Sequence, residues 1–63
     1  MEWVANLRVD YFENARGKFV RSDCEELVFK SPRDIKSRIY ELKGEADKYN
    51  YNCDIKIMLI YSR

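Results

Sequence analysis

The residues best equipped for chemistry are two cysteines, Cys24 and Cys53, and an acidic group, Asp23, Glu25 and Glu26. A nucleophilic thiol needs a base beside it, and the sequence has no histidine to form such a pair. Two thiols without histidine are also too few for a tetrahedral zinc site. Lacking a redox or zinc spacing, both cysteines read as small buried hydrophobes. A disulfide between them stays open, because it depends on strand geometry. The acids lack the ligand spacing of a calcium loop and read as a solvated connector. Gly17 and Gly44 stand alone, so no glycine-rich phosphate loop is present. No enzyme, cofactor or metal site is expected.

Two binding chemistries remain. Arg8, Arg16, Lys18 and Arg21 interleave with Tyr11 and Phe12. Basic residues can track a phosphate backbone while aromatic rings stack on single-stranded bases. Against this, Asp10, Glu13, Asp23, Glu25 and Glu26 lie among those bases, and the net charge is only +1. A nucleic-acid binder normally carries a basic excess. The other chemistry is apolar contact. Five Tyr and one Trp in 63 residues fit a protein-contact surface, where such side chains are enriched.

These residues must be positioned by a single small domain spanning 1–63, since 63 residues allow only one. A hydrophobic share of 46% against 37% charged is globular and not disordered. A chain this short buries about 60% of its unfolded surface, enough for one thin core. Met1 is followed by Glu2 and a strand pattern, so no secretory signal is read. No run approaches the roughly 20 apolar residues of a membrane span. The expected setting is the cytoplasm, with no membrane partner.

Alternation organises the first segment. Trp3, Ala5, Leu7, Val9 and Tyr11 take one face and Glu2, Asn6, Arg8 and Asp10 the other, with Val4 and Phe12 as exceptions. Residues 13–17 read as a hairpin loop in which Asn14 and Gly17 tolerate positive φ. Residues 18–22 form the return strand, 23–26 a polar connection, and 26–30 a short third strand. Ser31, Pro32 and Asp34 mark a helix start with a capping box. Ile35, Ile39, Leu42, Ala46 and Tyr49 then share one helical face. Gly44 inside this helix reads as a tolerated weak point, or as a close approach by another backbone. Residues 49–52 form the exit turn, with Asn50 or Asn52 left-handed. The last strand, 53–61, is the most apolar and is expected inside the sheet beside the first. The predicted fold is α+β, a three- to four-stranded antiparallel sheet with one helix on one face, in the order β-β-β-α-β.

One helix covers one face. The set Trp3, Ala5, Leu7, Val9, Tyr11 with Cys53, Ile55, Ile57, Leu59 and Tyr61 is expected to be the core. Val4, Phe12, Met58 and Ile60 are then left on the uncovered face, where a contiguous apolar patch marks a protein contact. Tyr40, off the helix stripe, and Tyr51, in the exit turn, are added as contact candidates.

Met1-Glu2, Val4, Tyr11-Phe12 and Asn14 resemble the start of the Dmd-type antitoxins of T-even phages, with a Trp expected where Tyr11 stands. The resemblance covers residues 1–14 and carries over no functional residue. The overall style is similar to small phage inhibitors of host enzymes or defence systems, including antitoxins and anti-CRISPR proteins. The resemblance implies inhibition by occluding a partner's surface. The functional expectation is therefore a noncatalytic protein-binding module, with a host protein or a second copy as partner. A homodimer is its simplest form. The alternative is a small nucleic-acid-binding protein using Arg8, Arg16, Lys18 and Arg21.

Overall fold

The computed structural model describes residues 2–63. Its elements are β1 (Trp3–Glu13), β2 (Phe19–Phe29), α1 (Pro32–Lys48) and β3 (Tyr51–Ser62). They form a three-stranded antiparallel sheet, ordered β2-β1-β3, with the helix on one face. This is the predicted α+β architecture.

The two short segments read as separate strands are one strand, β2. Ser22, Asp23, Cys24, Glu25 and Glu26 continue the ladder opposite Asp10 to Asn6. A run of polar residues looks like a connector, yet an edge strand favours such charge. The hairpin closes at Gly17, whose φ is +66° and whose N–H donates to the Glu13 carbonyl at 2.7 Å. With β2 on one side of β1, only the other side is free for β3. The last strand is therefore at an edge and not inside the sheet, although β1 is its neighbour as expected.

The helix start is built as its sequence predicts. The Asp34 carboxylate accepts from the N–H groups of Lys30 at 3.0 Å and Ser31 at 3.2 Å. These bonds hold the Asp34 carboxyl below the usual carboxylate range, helped by nearby Arg33 and Lys30. The helix ends at Lys48, and Asn50, at φ +61°, turns the chain into β3. Tyr49 therefore caps the helix instead of extending its apolar stripe, and it is exposed.

The core lies between α1 and the sheet in two clusters. Ala5, Leu7 and Phe29 pack with Leu27, Ile35 and Ile55, and Val9, Leu42, Ala46 and Cys53 pack with Tyr11, Tyr51 and Ile55. The helix thus crosses diagonally, from the end of β2 to the start of β3. Arg38 fastens it to β2 through a two-pronged ion pair with Glu25, both contacts at 2.6 Å.

Candidate protein-contact surface

A diagonal helix leaves one corner of the sheet bare, the C-terminal half of β3. The register makes this corner unusual. Leu7 faces Ile57 and Asn6 faces Leu59, so Met58 is an extra residue in a β-bulge. The alternation of faces is reset there. Ile57 and Ile60 stand on the helix side, across from Leu7 and Ala5. Leu59 and Tyr61 stand on the open side, across from Asn6 and Val4. Met58 lies there too, beside Asn6, Cys24 and Glu26.

The expectation that Leu59 and Tyr61 belong to the core is thus overturned, as is the placement of Ile60 on the uncovered face, while Trp3 and Ile57 keep the expected side but are exposed and outside the core. Strict period-two counting fails beyond one inserted residue. All five residues from Ile57 to Tyr61 are exposed, Met58 at 61% and Leu59 at 54%. The outer edge of β3 has no neighbouring strand among the described residues. Apolar side chains and unpaired backbone N–H and C=O groups therefore coincide on one segment.

The other proposed contact residues are dispersed. Val4 is a correction: it is 0% exposed, flanked by Val28 and Tyr61 across the ladders. Arg63 crosses β1 at this end to reach Glu26 at 3.8 Å. Val4 therefore belongs to the interior and not to a contact surface. Phe12 is half-buried and stacks edge-on against Phe19, with ring centroids 5.8 Å apart. It faces Asn52, so six ladder positions, about 20 Å, separate it from the Met58 end. Tyr51 is half-buried and edge-on to Tyr11, at 6.5 Å. Tyr40 is 71% exposed on the helix, beside Lys36, Ile39 and Lys43. Ile57, Leu59 and Tyr61 complete the exposed patch and were missing from the sequence-derived contact set. Their signal was present as five consecutive apolar residues.

The basic residues do not share a surface. Arg8 stands on the open side and its Nε binds Asp10 at 3.0 Å. Arg21 pairs across from Tyr11, on the helix side. Its guanidinium lies 5.0 Å from the Tyr11 ring centroid and its Nε is 3.3 Å from Asp23. Arg16 and Lys18 are exposed in the hairpin connection. The Ser22 hydroxyl and Arg8 bind the Asp10 carboxylate, and together they hold its pKa below the usual range against the opposing effect of burial.

The acids are divided as well: Asp23 and Glu25 lie on the helix side and Glu26 on the open side. No group of three or more metal-ligating side chains exists among the described residues. Cys24 faces Arg8 on the open side and Cys53 faces Tyr11 under the helix, so the sheet separates the two free thiols. Burial pushes the Cys53 thiol up, away from thiolate reactivity. No helix among the described residues is long and apolar enough to cross a membrane. No family model, curated protein or solved structure matches this chain.

Proposed function

We propose that this protein is a noncatalytic binding module that works by covering a partner's surface. The observation that carries this reading is the exposed apolar run Ile57–Tyr61 on a free edge strand. Exposed apolar area of this kind marks interaction sites, and a free edge offers backbone hydrogen bonds to an incoming strand. Met58 adds an adaptable side chain. The similarity of residues 1–14 to Dmd-type antitoxins supports an inhibitor acting in the cytoplasm on a host enzyme or defence system. Nucleic-acid binding is the weaker reading, because acids engage Arg8 and Arg21, which lie on opposite sides of the sheet.

The test is the double variant M58S/I60S. It is expected to lose association with any protein partner, including itself, while far-UV circular dichroism stays unchanged. A folded variant with undiminished association would overturn the proposal.

A further inference from the structure

We infer that the occupant of the β3 edge is a second copy of this chain, joined antiparallel about a two-fold axis between Met58 and Leu59. This rests on the binding-module reading and specifies its partner. The argument is that β3 is complementary to itself in this register. With the axis there, Ile57 meets Ile60 of the second copy, Lys56 meets Tyr61, and Asp54 meets Arg63. Each contact occurs twice, as two-fold symmetry requires.

The bulge makes the match possible. Without it, Ile57 and Ile60 would lie on opposite sides of the sheet. With it, both lie on the helix side, so four isoleucines meet in the space that the diagonal helices leave bare. Met58, Leu59 and Tyr61 of both copies meet on the open side. The two bulges face each other at the axis, and the regular segments on either side supply the ladder hydrogen bonds.

Charge favours the same register. Asp54 stands across from Asp10 and Lys56 across from Arg8, two like-charge neighbours within one copy. Neither Asp54 nor Lys56 has an ion-pair partner among the described residues. The second copy brings Arg63 to Asp54 and the Tyr61 ring to the Lys56 stem. To do this Arg63 gives up its long, half-exposed contact with Glu26 and its path across β1 beside Val4.

The helices also fit. α1 reaches Cys53 only at its C-terminal end, so those ends of the two helices sit about 30 Å apart along the strands, and the helix starts lie with Leu27 and Phe29 of β2, set back from the shared edge. Centring the axis on Ile55 would pair Asp54 with Lys56, but it would crowd the helices and leave Ile60 and Tyr61 beyond the end of the partner strand. Growth stops at two copies because the far edge, β2, carries Arg21, Asp23, Glu25 and Glu26. The accessible surface agrees with an uncovered face: 4854 Å², against about 4,300 Å² for a typical monomer of this mass.

Sedimentation equilibrium and multi-angle light scattering on the full chain test this. The expected result is a two-copy mass for the wild type and a one-copy mass for I57K/I60K with unchanged circular dichroism. D54R and R63D alone each place like charges together and should weaken the dimer roughly tenfold. Mixing D54R with R63D restores both attractions, so a heterodimer should form in preference to either homodimer. A wild type that stays monomeric at several hundred micromolar overturns the inference. If that monomer still binds another protein through Met58 and Ile60, the binding-module reading survives and only the second copy is excluded. A dimer indifferent to I57K/I60K, or no preference in the mixture, overturns the interface or its register.

Discussion

Arg38 is the side chain through which the helix and sheet exchange charge. Its guanidinium binds both oxygens of Glu25 and also reaches Glu41 at 3.2 Å. Hydrogen bonding from Arg38 and its positive charge hold the Glu25 carboxyl below the usual range, against partial desolvation. A folded-state pKa lower than the unfolded one stabilises the protein above the unfolded value, about 4.3 for Glu. That contribution is lost as pH falls through the lower folded value. Urea melts should therefore place wild type about 1 kcal/mol above E25Q at pH 7, with the gap closing as pH drops below roughly 4. A gap unchanged at pH 3 would show that Glu25 acts through packing and not through charge. Neither the pairing nor its partner was legible in the sequence, because Glu25 and Arg38 lie on different elements. Spacing of i,i+4 would pair Asp34 with Arg38 and Lys43 with Asp47, but such arithmetic sees only contacts within one helix. The actual partners are Glu25 and Glu41 for Arg38, and backbone N–H groups for Asp34.

Among the elements, the helix was the most readable. Pro32 and Asp34 announce its start, and a left-handed Asn50 ends the exit turn, because local chemistry fixes both. Gly44 is its one soft position. A Cβ built there meets nothing within 4 Å, so no neighbouring backbone requires glycine. G44A should raise stability by about 0.5–1 kcal/mol, read as a higher urea midpoint with unchanged slope. A loss of stability would reveal a close approach at that site. The strands were readable in their first halves and misread later. β1 alternates faithfully through Tyr11, where a bulge against β2 begins. In β3, counting by two assigned Leu59, Ile60 and Tyr61 to the wrong sides, because a bulge is a pairing event between strands that neither sequence displays alone. The division of β2 into two strands failed for a related reason. A charged edge strand has the composition of a loop, and its neighbour decides which it becomes.

The whole molecule is a narrow slab, 42 × 17 × 11 Å, in which β1 alone has strands on both sides. Val4, Ala5, Leu7 and Val9 are its most enclosed apolar residues. Stability in so thin a core is uneven, and native-state hydrogen exchange should register this. The β1 amides from Val4 to Val9 should exchange slowest, at rates governed by global unfolding. Outward-facing β3 amides near residues 54–61 should be fast at low concentration and slower at high concentration if the edge becomes paired. Equal protection across β1 and β3 in dilute solution would contradict a single central strand. One inserted residue has a consequence for how this surface can change. Replacing Met58 alters one side chain, whereas deleting it would remove the bulge and restore an unbroken ladder, with Leu59, Ile60 and Tyr61 still opposite Asn6, Ala5 and Val4 on their present sides. The inserted residue therefore adds a second neighbouring apolar side chain to the open side and bends the edge, without exchanging the faces of its neighbours. A shortening by one at Met58 would be felt as a straighter edge and one lost apolar contact.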